Sequence, residues 1–142
     1  MKISVEENKA ITRRAIEEVW NQGKMESLNE IWAPNYVNHD PINPDVRDLE
    51  GFKQYVSMIR NAFPDFKVTV DDMIAEGDKV ATRWTARGTH KGDLGKIAAT
   101  GKQVTITGIS LGRFVDGKTV EIWWSGDNLG MLQQLGVIPP ME

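Results

Sequence analysis

The chain has no cysteine. That removes disulfides, thiolate metal sites and cysteine nucleophiles together, and it fits a reducing compartment. It has only two histidines, His39 and His90. They stand far apart with no i, i+4 pairing, so no metal-ligand spacing is present. Strong charge of either sign is lacking as well: 17 basic and 20 acidic residues give a formal charge of -3, and recognition of nucleic acid has no electrostatic footing. No apolar run is long enough to span a bilayer, and the opening MKISVEENKA has no apolar signal core. Phosphate-cradling glycine loops, nucleophile elbows, repeats and low-complexity stretches are absent too. The reading is a single cytoplasmic domain spanning all 142 residues, long enough for one sizeable core.

What the chain does have is concentrated in five tryptophans and in a C-terminal stretch from Lys102 to Gly136. Flat, bulky side chains in a small domain fill a core or wall a pocket. The C-terminal stretch predicts a β-hairpin and a short helix. Val104 to Val115 alternates and is rich in β-branched residues, Asp116-Gly117 supplies the turn, and Thr119 to Ser125 returns. Asp127 or Asn128 caps a helix that Gly136 ends. A three-residue loop, with Gly117 as a bulge, sets Phe114 against Lys118 and Gly108 against Trp124, where the glycine would leave room for the indole. A two-residue loop would put Ser125 opposite Gly108 instead.

Upstream, Ser4 and Glu7 form a capping box for a helix running to about Gln22, with Val5, Ile11, Ala15, Ile16, Val19 and Trp20 on its buried half. Met25 to Trp32 predicts a second helix, stopped by Pro34, and Tyr36-Val37 a short extended piece. Leu49 to Phe63 predicts a third helix, with Phe52, Val56 and Ile59 in its stripe. From Phe66 the period switches to two. Phe66 to Glu76 carries Phe66, Val68, Val70 and Ile74 on one face, and Lys79 to His90 carries Val80, Trp84, Ala86 and His90 on one face. Helices first and an antiparallel meander after them define an α+β domain in which helices cover one face of a curved sheet.

The run R-W-T-A-R-G-T-H-K-G from Arg83 to Gly92, followed by T-G-K at Thr100 to Lys102, D-G-K at Asp116 to Lys118 and L-Q-Q-L-G at Leu132 to Gly136, resembles the SnoaL-like polyketide cyclases of the NTF2-like superfamily. The resemblance covers nearly the whole chain. It implies a cone-shaped α+β barrel, a strongly bent sheet wrapping helices around one deep apolar pocket, in a homodimer or higher homo-oligomer. It also implies ring closure by intramolecular aldol condensation without metal or cofactor. In such cyclases an aspartate on the last strand is the general acid/base, helped by a histidine, a glutamine and an asparagine. Ungapped alignment on the D-G-K and L-Q-Q-L-G motifs puts Trp124 in the aspartate's place and Ser110 and Gly108 in those of the histidine and glutamine. The asparagine is matched by Asn38.

An indole cannot take a carbon-bound proton, so another group would have to. The candidates are His39 beside Asn38, and Asp72, either a carboxylate among the apolar residues of its strand face or a strand-end aspartate in water. Asp127 reads as a helix cap and His90 as a satisfied structural or rim residue. Trp20, Tyr36, Trp84, His90, Gly108, Ser110 and Trp124 are the expected pocket residues around a small apolar ligand. Three readings follow: a cofactor-free cyclase, isomerase or lyase acting on a carbonyl compound; a ligand-binding module without chemistry; and a dimerisation domain with a filled barrel.

Overall fold

The computed structural model describes residues 4–140. Helix α1 (Val5–Arg14) starts at Ser4, whose side chain accepts from the Glu7 N–H. It continues as a wider π-helical segment, Ala15–Asn21, which brings Ile16 and Trp20 toward the core. A short α2 (Ser27–Ile31) follows, then strand β1 (Trp32–His39), α3 (Leu49–Ala62), β2 (Lys67–Glu76), β3 (Lys79–Thr89), β4 (Gln103–Val115), β5 (Lys118–Gly126) and α4 (Asn128–Leu135). The strands form one sheet in the order β1-β5-β4-β3-β2.

From β2 to β5 the sheet is an antiparallel meander, as the alternation predicts. The addition is β1, which extends the sheet by pairing parallel to β5. The short extended piece predicted at Tyr36-Val37 is therefore an eight-residue edge strand, and the helix predicted to reach Trp32 ends at Ile31. Pro34 lies within this strand, where an edge tolerates a residue with no N–H to donate. The ladder is irregular between Trp32 and Val37, around that proline.

Two bulges decide which side chains face inward. In β2 the pairing slips between Val70 and Asp72. Val68 points inward before the slip and Met73 after it, so Ile74, predicted inward, is 67% exposed. In the hairpin the turn has two residues, Asp116 and Gly117, both at positive φ (50° and 79°), as a tight twisted hairpin requires. Val115 pairs with Lys118, and a further slip between Phe114 and Arg113 then sets Ser110 opposite Trp124 and Gly108 opposite Gly126. Neither register considered from the sequence contains that second irregularity. Gly108 does make room for an indole, but for that of Trp84, its partner on β3. A Cβ at Gly108 would lie 2.3 Å from Cζ2 of Trp84 and 2.8 Å from the Ser125 carbonyl oxygen.

The concave face of the sheet holds the core. One cluster joins α1, its π segment, α2, α3 and β1 through Val19, Leu28, Trp32, Tyr36, Phe52 and Val56. A second joins the end of α3 to the middle of the sheet through Phe63, Phe66, Ala86 and Ile106, with Leu135 of α4 closing it. The Trp20 ring spans the two clusters, meeting Phe52 at 5.8 Å and Phe66 at 5.5 Å. No helix among the described residues is long and apolar enough to cross a membrane.

The convex face is open. One ladder row crosses all the strands: His39, Trp123, Leu111, Ala81 and Ile74 are successive Cα partners from β1 to β2. Trp123 is 38% exposed and Ile109, in the adjacent row, 53%. Apolar patches of this kind usually mark contact surfaces.

Two outcomes are expected. Gly108→Ala should cost about 1–3 kcal/mol in denaturant unfolding, since neither the Trp84 ring nor the β5 backbone can yield cheaply to a methyl group. Sedimentation at micromolar concentration should show a homodimer, with Trp123→Glu shifting it toward monomer; a wild-type monomer would refute the pairing of convex faces.

Candidate functional site

Between the helices and the concave face lies a cavity of about 370 Å³, within the range of small-molecule pockets (roughly 300–1,000 Å³). Its walls are mostly apolar: Trp20, Phe52, Phe66, Ile106, Trp84 and Trp124 among others. Ile42 and Met58, which also line it, are 59% and 38% exposed, so the cavity opens to solvent between the 40–47 loop and α3. Thr82 and Ser110, Cα partners on β3 and β4, supply hydroxyl-bearing residues to the sheet wall.

Asn38 ties this wall together. It is 6% exposed near the end of β1, with its side chain among the cavity-lining groups. Its Oδ1 accepts from the Tyr36 hydroxyl at 2.7 Å and from Trp124 Nε1 at 2.7 Å. Its Nδ2 donates to the Val46 carbonyl at 3.0 Å, and its backbone N–H donates to the Arg47 carbonyl. One side-chain N–H is left uncommitted by these bonds. Burial pushes the Tyr36 phenol well above its usual pKa, so it stays protonated and remains a donor to Asn38.

The expected pocket residues divide. Trp20, Trp84, Ser110 and Trp124 line the cavity with Asn38. The Trp124 ring stacks on Phe52 at 5.7 Å and 16°. Tyr36, Gly108 and His90 do not line it. Tyr36 lies behind the wall, stacked on Trp32 at 4.2 Å and 1% exposed. Gly108 lies under the Trp84 ring. His90 is fully buried beside Phe63, and its Nδ1 accepts from the Thr100 N–H at 3.2 Å, which pins the 91–101 loop.

Two acid/base candidates lie outside the cavity. Successive residues of a strand point to opposite faces, so His39 cannot share the face of Asn38. It sits on the convex side, stacked on Trp123 at 4.9 Å and 8°, with Nε2 2.7 Å from Glu121 Oε2. Glu121 also accepts from Arg113 Nε at 2.6 Å, and these two bonds, the arginine's first, hold its carboxyl below the usual range. Asp72 is exposed at the β2 bulge, with Oδ1 accepting from the Met73 N–H. Asp127 caps α4, accepting from the Gly130 N–H at 2.9 Å.

The residues that sequence reasoning missed are Asp40, Asn43 and Tyr55, all at the mouth. The signal was available for two of them. Asp40 stands two positions beyond Asn38, and Tyr55 lies on the α3 stripe between Phe52 and Ile59. No group of three or more histidine, aspartate or glutamate side chains suited to a metal ion occurs among the described residues.

A bent, mostly antiparallel sheet closed by helices over an apolar cavity defines an NTF2-like α+β barrel. Residues 10–135 match the model of the SnoaL-like polyketide cyclase family, and the chain belongs to that family. It is 31% identical over 130 residues to the aklanonic acid methyl ester cyclase DauD of Streptomyces sp. (strain C5), covering 89% of this chain and 80% of that protein. It is equally similar to the aklanonic acid methyl ester cyclase DnrD of Streptomyces peucetius, 31% over 130 residues, 89% of this chain and 88% of that one. The structure of TsrD from Streptomyces laurentii superposes with a TM-score of 0.87 at 25% identity, over 96% of this chain and all of that one (100%).

If Trp124 is a cavity wall, Trp124→Ala should cost about 2 kcal/mol, short of the roughly 3–5 kcal/mol for a tryptophan packed on all sides. Thermal or denaturant melts measure this directly. Affinity for an apolar ligand should fall by a larger free energy; the opposite ordering would make the residue core filling.

Proposed function

We propose that this protein is a cofactor-free enzyme that takes a small apolar carbonyl or polyketide-like compound into the cavity and cyclises or isomerises it by proton movement at carbon. The observation that carries the reading is the cavity itself: an apolar chamber of about 370 Å³ with a few polar groups gathered at Asn38 and the mouth, in a chain whose relatives are named as cyclases of a methyl ester. Apolar walls hold the carbon skeleton, and a folded conformation imposed on it brings the reacting carbons together. The uncommitted N–H of Asn38 is available to a carbonyl oxygen as charge develops there.

A second reading, a binding module without chemistry, is favoured by one observation. Trp124 occupies the place that the resemblance gives to the family's aspartate, and its N–H is spent on Asn38. Turnover separates the two. Incubation with a panel of apolar β-keto esters, including aromatic polyketide methyl esters, should give products of unchanged mass and altered chromatographic retention, as ring closure by aldol addition requires. Binding without any such product would favour the module.

Asn38→Ala is the companion variant. Loss of an oxyanion donor typically costs ~100-fold or more in turnover. Leaving the Tyr36 O–H and Trp124 N–H without their acceptor should also cost about 1–3 kcal/mol of stability per buried group. Unchanged turnover and affinity would remove Asn38 from the site.

A further inference from the structure

Among the described residues, Asp40 is the one carboxylate lining the cavity, and no lysine, arginine or histidine joins it there. It follows β1 directly, on the same side of the chain as Asn38, and is half-buried at the mouth. Its two oxygens are held in place: Oδ1 accepts from the Ile42 N–H at 3.1 Å and Oδ2 from Asn43 Nδ2 at 2.9 Å. Asn43 Nδ2 also lies 3.4 Å from the Tyr55 hydroxyl, which accepts from it. The Tyr55 proton is left to donate elsewhere. Burial, and then the negative charge of Asp40, push the Tyr55 phenol up to about 12, so near neutral pH it can serve as a donor and not as a base. The Asp40 charge acts in the same direction on Tyr36.

We infer that Asp40 is the general base and acid of this cavity and that Tyr55 donates to the oxygen that becomes negative; the inference rests on the carbonyl chemistry proposed above. Asp40 takes a proton from the carbon next to a carbonyl. The C–H bond breaks, its electron pair forms the enolate, and an O–H bond forms on Asp40. The Tyr55 O–H donates a hydrogen bond to the enolate oxygen. The enolate carbon then attacks a second carbonyl of the same molecule. A C–C bond forms, the π pair moves to oxygen, and that alkoxide takes the proton back from Asp40. Every atom and charge is returned, so no co-reactant is needed. The base thus sits just beyond the end of β1, beside β5, and not at position 124, to which the resemblance assigns the family's aspartate.

The test uses the full chain and 2-tetralone, an apolar bicyclic ketone, in deuterated buffer. Proton NMR reads exchange at the carbon beside the carbonyl, and quenching of tryptophan fluorescence reads binding. The wild type should bind and speed exchange. Asp40→Asn should lower the exchange rate ~100-fold or more with binding unchanged, Tyr55→Phe should lower it less, and Asp40→Glu should keep part of it. Asp40→Glu tests the carboxylate even if Asp40→Asn fails to fold, since it keeps the acid and moves it by one methylene. Exchange in Asp40→Asn within threefold of wild type, no exchange in a folded Asp40→Glu, or wild-type binding without exchange would each overturn the role of Asp40. A wild type that neither binds nor exchanges would overturn the function on which it rests.

Discussion

The site depends on one side-chain oxygen. Asn38 Oδ1 accepts from two donors on two strands, the Tyr36 hydroxyl on β1 and the Trp124 indole on β5. Each donor is aromatic and would be costly to bury unpaired (about 1–3 kcal/mol each). The same amide reaches forward to the Val46 carbonyl, and its backbone N–H to that of Arg47. One buried residue therefore fixes the register of a parallel edge strand, the orientation of a cavity wall, and the return of the 40–47 loop. Asp40 and Asn43 ride on that loop, so the polar groups at the mouth inherit their position from a hydrogen-bond knot inside the wall.

That arrangement accounts for a tryptophan at position 124. An indole has a large apolar face and a single donor. Here the face stacks on Phe52 and borders the cavity, while the donor is satisfied by Asn38. An aspartate at the same place would bring a second acceptor up to an oxygen that only accepts. The two choices are thus coupled: with Asn38 Oδ1 turned toward β5, a donor suits position 124 and a carboxylate does not. The carboxylate we propose as base stands instead just beyond the end of β1, where the Ile42 N–H and the Asn43 amide hold it.

Periodicity made most of the fold legible and also marks where legibility ended. The stripes of α1 and α3 and the alternation of β3 and β4 place their inward residues as the structure has them, Val80, Ala86, Val104 and Phe114 among them. Alternation fails wherever a strand carries an extra residue, because one insertion moves all later side chains to the other face. That is why Ile74 is exposed, why Met73 is buried, and why Asp72 lies outside the apolar surroundings read for it. The two-residue turn and the second slip, in β5, together set Trp124 opposite Ser110, where a three-residue loop would have set it opposite Gly108. Bulges carry no strong residue signature, and neither is marked by glycine. The parallel seat of β1 was hidden for another reason: only contacts distant in sequence reveal which edge of a sheet a short strand will join.

The site was less legible than the fold because a residue's chemistry is written in its type, while the face it occupies depends on the strand around it. Histidine drew attention at His39 and His90 through its pKa, yet neither reaches the cavity, one lying on the convex face and the other sealed beneath a loop. The alternation that fails at bulges succeeds at the end of β1, where no bulge intervenes: Asn38 faces inward, His39 outward, and Asp40 again toward the cavity. A titratable residue is a candidate only once its face is known, and in N-H-D the strand geometry favours the third residue over the second. The convex stacking of His39 on Trp123 then has its own logic. It fills a position in the apolar row that crosses the sheet, and the Glu121 carboxylate, held by Arg113 as well, lies within hydrogen-bond distance of its Nε2.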